Sequence, residues 1–294
     1  MKQYQTDLQF IKDNGTTRPD RTNTGTLGVF GMQTRYDLRQ TFPAMTTKAL
    51  AWKAVVSELL WFLEGSGDER RLAEILYGKP RSELADKKTI WTDNANAPYW
   101  KPKAKYDGDC GVVYGVQWRK WTAYRKKWNN SEPELEVTDQ LINLVNGIKQ
   151  DPYGRRHILS AWNPGELNSM ALPPCHCFAQ FYVDSENKLS CQMYQRSADM
   201  FLGVPFNIAS YSLLTCMIAQ VCGLGVGDFV HVIGDAHIYL NHTEQVNEQL
   251  QREPLPAPTL WLNPEIKDIT KFTMDDIKLV GYTSHPSIKA PMAV

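Results

Sequence analysis

The sequence predicts an α+β protein folded as one domain, residues 1–294. Three observations carry that expectation. Residues 175–183 and 188–196 alternate apolar and polar side chains around a polar turn, the pattern of a half-buried hairpin. Residues 200–227 carry no charge, and Asn207, Ser210, Ser212 and Gln220 interrupt them between Pro205 and Gly223. That pattern fits a buried core helix better than a membrane span. No linker, repeat or low-complexity segment divides the 294 residues, and a fold of this length buries roughly 75% of its unfolded surface.

Composition excludes several classes of function. The 32 basic residues balance the 32 acidic ones, so bulk charge gives no reason to expect a nucleic acid or an anionic membrane as partner. Six cysteines are too sparse for a disulfide framework and lack the CxxC pairs of zinc sites. The N-terminal residues MKQYQTDLQF show no basic-then-apolar signal pattern. A reduced, cytoplasmic protein is the expectation.

The remaining elements follow in order. Residues 2–13 predict a helix, residues 20–25 a polar turn bearing Arg21, and residues 26–38 an alternating strand. Residues 50–63 predict a helix apolar on nearly every side, with Glu58 at its middle; a carboxylate there must be paired, hydrogen-bonded or protonated. Residues 66–88 are charged and mixed and are read as a surface insertion, with a helical run near 70–76. Thr89, Ile90 and Trp91 are strand-like. Tyr114 lies between glycines that permit close backbone approach. Residues 119–127 mix basic and aromatic side chains and are read as a solvated face. Residues 137–148 predict an amphipathic helix with Val137, Leu141, Leu144, Val145 and Ile148 on one face. Arg155 and Arg156 follow a turn as surface charges or an anion clamp. Residues 157–162 and 229–233 predict strands, and residues 234–239 lead into a helix ending near Arg252. His237 and Tyr239 share a face if their segment is extended.

Common catalytic motifs are missing from the sequence. There is no Walker loop and no Gly-x-Ser-x-Gly. The glycines at 223, 225 and 227 follow a helix, and Asp228 replaces the glycine a dinucleotide fingerprint requires. His237 and His242 are five apart, poor spacing for two ligands on one helix face, and no metal site is expected.

The chemistry concentrates in residues 171–211. A free cysteine is only a few per cent thiolate at neutral pH and needs a nearby cation or base to act as a nucleophile. His176 adjoins Cys175, but strand neighbours point to opposite faces. An even-length turn centred on Ser185 and Glu186 would instead place Arg196 directly opposite Cys175, with Cβ atoms about 4.5–5.5 Å apart. A guanidinium there favours the thiolate and can also bind an anion. Cys177, Cys191, Cys216 and Cys222 read as buried apolar residues. Asn207 is either a helix cap or a reader of a planar ring edge.

These residues lie in runs that resemble the thymidylate synthase family over nearly the whole chain: FPAMTTK, ELLWFLEG, GRRHILSAWNP, ALPPCHCF, LSCQMYQRSADMFLGVPFNIASY, GDAHIYLNH and the terminal APMAV. The resemblance implies a large twisted mixed β-sheet packed with helices and a homodimer formed through that sheet. It implies that Cys175 adds to C6 of dUMP, generating an enolate that attacks the one-carbon unit of 5,10-methylenetetrahydrofolate, the co-substrate. Loss of the C5 proton and a hydride transfer would then give dTMP and dihydrofolate. It assigns Arg21, Gln195, Arg196, Ser197 and Asp199 to the dUMP site, and Arg155 and Arg156 to the phosphate of the other subunit. Asn207 would read the uracil edge, where an aspartate would suggest a dCMP hydroxymethylase, and His237 and Tyr239 would bind the deoxyribose hydroxyl. Glu58, Tyr114 and His176 join Cys175, Arg196 and Asn207 as catalytic residues. Ile90, Trp91, Asn94, Asp199, Leu202, Gly203, Phe206 and Ala293 face the folate, and the tail ending at Val294 closes over both ligands.

The chain also departs from the family pattern. Asn23 stands where the family has glycine, Thr92 where it has an aspartate after the tryptophan, and Val112 within its GDLGPVYG run. These departures touch the folate side, where the methylene intermediate is either reduced or hydrated. A deoxyuridylate hydroxymethylase and an inactive RNA-binding homologue are the alternatives on the same fold.

Overall fold

A computed structural model describes residues 1–125 and 132–292. In chain order, helix α1 (Lys2–Asn14) precedes strands β1 (Thr16–Arg18) and β2 (Thr26–Asp37). Helices α2 (Trp52–Glu64), α3 (Glu69–Tyr77), α4 (Thr92–Ala95) and α5 (Tyr114–Arg119) come next. Strands β3 (Trp121–Arg125) and β4 (Glu134–Thr138), helix α6 (Gln140–Gln150) and strand β5 (Ile158–Ser160) follow. Strands β6 (His176–Val183) and β7 (Lys188–Asp199), helix α7 (Gly203–Cys222) and strand β8 (Gly225–Tyr239) form the central run. Helix α8 (Thr243–Leu250) and strands β9 (Thr259–Leu262) and β10 (Ile277–Val280) end it. The protein is α+β, with a large mixed sheet packed against helices. By internal contacts the chain divides into two compact units, Met1–Val56 with Cys175–Val294, and Ser57–Pro174.

In the first unit the sheet runs β1-β2-β8-β7-β6. Its pairings are antiparallel except β7 with β8, which are parallel because α7 carries the chain back between them. Strand alternation sets its faces. Ala179, Phe181 and Val183 of β6 are buried, while Phe178 and Tyr182 on alternate positions are exposed. Helix α7 packs on β7 and β8 and is apolar on all sides, as a helix inside a core must be. Among the described residues it is the one helix long and apolar enough to cross a membrane, and 78% of its apolar window is buried in the protein. Gly223, at φ +70°, stops it in a left-handed turn.

The second unit is organised by aromatic packing. Phe62 stacks on Tyr114 at 5.0 Å and meets Trp118 edge-on at 5.5 Å. Each fully buried side chain of this kind contributes roughly 1.5–3 kcal/mol. Gly115 is required here, because a Cβ at that position would lie 2.5 Å from the Phe62 carbonyl oxygen.

Three sequence expectations need correction. Val137 ends up exposed in β4, and the helix starts only after Asp139, whose carboxylate accepts the Ile142 N–H as an N-cap. Thr89, Ile90 and Trp91 form a turn instead of a strand, because threonine hydroxyls capture their backbone: Thr92 Oγ1 accepts Thr89 N–H at 2.8 Å and Thr89 Oγ1 accepts Trp91 N–H at 3.1 Å. The charged stretch 66–88 is not all surface: Glu69, Arg70, Leu72, Ala73 and Leu84 are buried. Its apolar positions fall on one side of α3, and its two innermost charges pair with each other.

Candidate active site

In the first unit the β6–β7 hairpin positions Cys175 and Arg196. Its turn is not the even one the sequence suggests. Val183 pairs with Leu189 and Ala179 with Met193, one residue out of the expected register. Asn187, in the left-handed region at φ +57°, accommodates the extra turn residue. A β-bulge at Cys177 then removes the offset, and His176 pairs with Gln195. The Arg196 N–H donates to the Cys175 carbonyl oxygen at 2.8 Å, and the guanidinium Nη2 reaches the Cys175 Sγ at 3.8 Å. Thiol and cation therefore meet as expected, through two compensating irregularities.

The opposite face of the same pair carries His176 and Gln195. His176 is buried, with Nδ1 2.9 Å from the Tyr211 hydroxyl, and burial drives its pKa down to about 3, so the imidazole is neutral. Gln195 is buried and donates from Nε2 to the Ser197 carbonyl at 3.2 Å and to Asn207 Oδ1 at 3.1 Å. The Ser197 carbonyl can only accept, which fixes the Gln195 amide and presents its Oε1 to His231 Nε2 at 2.9 Å. Burial also pushes His231 down to about 3, so a neutral ring donates this bond. The chain Ser197–Gln195–Asn207 thereby orients the Asn207 amide. Sequence inspection missed His231; its place on the buried face of β8 was the available signal.

The anion-binding candidates split by position. Arg21 is exposed on a turn held by Asp20, which accepts the N–H groups of Thr22 and Gly25 and the Thr22 hydroxyl. The Thr22 hydroxyl leads the bonds that hold the Asp20 carboxyl down at about 2. Asn23 sits in this turn at φ +57°. Asparagine tolerates that region, so its replacement of glycine keeps the loop's backbone path. Ser197 and Asp199 are half-buried at the end of β7, and the Asp199 carboxylate accepts the N–H groups of Phe201 and Leu202 at 2.9 and 3.0 Å, leading into α7. Leu202, Gly203 and Phe206 are half-buried on that first turn.

His237 and Tyr239 do share a face of β8, with ring centroids 5.2 Å apart, and Asp235 Oδ1 lies 3.2 Å from His237 Nδ1. His242 is fully buried; its Nε2 donates to the Pro291 carbonyl at 2.7 Å and so holds the described end of the tail. Ala293 and Val294 lie outside the described residues, as do Lys126 and Lys127 of the basic stretch. Lys48 is a second residue the sequence did not single out. It is buried, donates to the Phe201 carbonyl at 2.5 Å and lies 3.4 Å over that ring, and burial lowers its pKa to about 7.

The second unit contains a different constellation. Glu58 is half-buried and accepts the Trp91 Nε1–H at 2.7 Å. Burial raises its pKa to about 7, against the lowering effect of that hydrogen bond. Such a carboxyl can take up and release a proton at neutral pH. Trp91 meets Tyr114 edge-on at 5.8 Å and lies tilted against Trp61 at 5.4 Å. Ile90 is exposed and Asn94 half-buried beside Trp91. Arg155 and Arg156 are exposed on their turn, and neither makes an ion pair among the described residues.

In the first unit, a thiol beside a guanidinium and an oriented amide are parts for covalent addition to a polarised ring. The sequence profile of the family described as Thymidylate synthase matches residues 2–294. With essentially the whole chain matched, this protein belongs to the thymidylate synthase family, enzymes of nucleotide biosynthesis that act as methyltransferases.

Proposed function

We propose that the protein converts dUMP to dTMP by reductive methylation. 5,10-Methylenetetrahydrofolate supplies the one-carbon unit and the hydride. The contact between Cys175 and Arg196 carries this reading, because the guanidinium favours the thiolate that must add to C6. In this reading Asn207 pairs with the uracil edge, its orientation set by Gln195, and hydrogen bonds of this kind discriminate strongly between bases. Arg21, Arg196 and Ser197 take the phosphate, and His237 and Tyr239 the deoxyribose. Glu58, with Tyr114 and His176, serves the carbonyl at C4 and the proton at C5. Trp91, Ile90, Asn94, Asp199, Leu202, Gly203, Phe206 and Ala293 receive the folate, which excludes water from the methylene.

The working enzyme in this proposal is a cytoplasmic homodimer in which Arg155 and Arg156 reach the partner's phosphate site. Two features support it: the exposure of both arginines, neither with an ion pair among the described residues, and the apolar outer side of β6. There Phe178 stacks on Tyr194 at 5.9 Å and Tyr182 is 64% exposed.

The test is a mixture of protein, dUMP and 5,10-methylenetetrahydrofolate, followed by absorbance and product mass. dTMP with an equal amount of dihydrofolate supports the proposal. 5-Hydroxymethyl-dUMP without dihydrofolate would replace it with the hydroxymethylase reading.

A further inference from the structure

The second unit buries a charged pair that the proposed reaction does not use. Glu69 and Arg70 are sequence neighbours at the start of α3, 1% and 8% exposed. Arg70 grips both carboxylate oxygens at 2.6 Å through Nε and Nη2, and its Nη1 donates to the carbonyls of Leu84 and Lys87 at 3.0 Å. Glu69 Oε1 then accepts the hydroxyls of Thr89 and Thr92 at 2.7 and 2.6 Å. Because both hydroxyl protons go to the carboxylate, both hydroxyl oxygens are left as acceptors for backbone. Thr92 Oγ1 takes the Thr89 N–H at 2.8 Å, and Thr89 Oγ1 takes the N–H of Trp91 at 3.1 Å. The indole N–H of Trp91 is the one that meets Glu58.

We infer that Glu69 is a positioning residue for Trp91 and Glu58, acting through the hydroxyls of Thr89 and Thr92. The inference deepens the proposed reaction and rests on it for its kinetic consequences only. The direction of the hydroxyl bonds demands an acceptor without hydrogens at position 69. Glutamine has the same size but presents an NH2 group, either to the Arg70 guanidinium or to the threonines. Burial works against the charge of Glu69, yet Arg70, Thr89 and Thr92 hold its carboxyl below the usual carboxylate range. The anion is therefore present at every pH at which Glu58 titrates. Ring packing of Trp91 on Trp61 and Phe62 limits where the indole can lie. The threonine turn sets its backbone, and small misplacements of a group in a reaction site cost up to about 100-fold in rate.

The experiment compares wild type with Glu69→Gln, Thr89→Val and Thr89→Ser. The Trp91 indole N–H resonance, assigned with Trp91→Phe in nitrogen-15-labelled protein, is followed against pH, and kcat and KM for dUMP are measured. In wild type the resonance follows Glu58 with a midpoint near its raised value of about 7. Glu69→Gln and Thr89→Val weaken the indole bond, so the midpoint moves upward, kcat falls on the order of 10-fold, and KM for dUMP stays the same. Thr89→Ser keeps the hydroxyl and restores wild-type behaviour. Wild-type midpoint and kcat in both Glu69→Gln and Thr89→Val overturn the inference, and so does a Thr89→Ser protein that behaves like Thr89→Val. If Glu69→Gln does not fold, the threonine pair decides. If wild type makes no dTMP, the functional reading fails, while the resonance midpoints still test the positioning.

Discussion

The β6–β7 hairpin and the Glu69–Trp91 region hold reactive side chains by different means. In the hairpin a backbone ladder does the positioning: Cys175, His176, Gln195 and Arg196 are placed by register, and a turn offset is cancelled by a bulge. Around Trp91 no ladder exists. Its turn is held by a carboxylate, a guanidinium and two hydroxyls packed beneath it. Ladder positioning is spread over many bonds that each tolerate substitution. Side-chain positioning concentrates in a few buried polar atoms, where one lost partner exposes the desolvation cost of the others.

The largest effect expected is at the hairpin's reactive atom. Cys175→Ala removes the proposed nucleophile while leaving the ladder intact, so turnover is lost, dUMP still binds by calorimetry, and the melting temperature changes little. Retained turnover would break the hairpin side of the comparison. Next comes Arg70→Ala in the other region. It strands Glu69 and frees two carbonyls, and breaking a buried pair from one side costs about 3–5 kcal/mol, measured by urea unfolding. A loss as small as that of an exposed ion pair would mean that this region is held by something else.

The two regions also respond to pH with opposite sign. Glu58 keeps its proton in the folded protein up to about 7 but loses it near 4.5 when exposed, so its contribution to stability falls as pH rises through that window. His176 and His231 stay neutral down to about 3 when folded but take a proton near 6.5 when unfolded, so their contribution is lost as pH falls through 6.5 towards 3. Glu58→Gln should flatten the loss towards neutral pH, and His231→Gln the loss towards acid, in melts recorded from pH 4 to 8 (about two units either side of the histidine's ordinary value). Identical profiles for both variants would contradict these assignments. The smallest effect is at Asn23, already in the left-handed region. Asn23→Gly should change stability by less than about 1 kcal/mol, whereas Asn23→Val should cost about 1–2 kcal/mol.

The same contrast explains what the sequence revealed. The hairpin follows from the period of two that residues 175–196 display openly, and α7 from an uncharged run between Pro205 and Gly223; the shared face of His237 and Tyr239 was legible only on the condition that their segment is extended. The meeting of Cys175 and Arg196 was legible, but not its route. An odd turn and a bulge cancel, and neither the positive φ of Asn187 nor the bulge at Cys177 leaves a periodic signal. Thr89, Ile90 and Trp91 were misread as strand, and the surface reading of residues 66–88 missed the buried side of α3. Its order depends on which hydroxyl donates to which carboxylate, and no spacing rule encodes that. His231 and Lys48 were passed over because a buried polar residue looks like any other until its partner is known.

Alkylation of Cys175 by iodoacetamide at neutral pH, read by peptide mass in wild type and in Arg196→Met, tests the central claim most directly. The account predicts that Cys175 reacts on the order of 10-fold more slowly once the guanidinium that favours its thiolate is gone. Equal rates in the two proteins would contradict it.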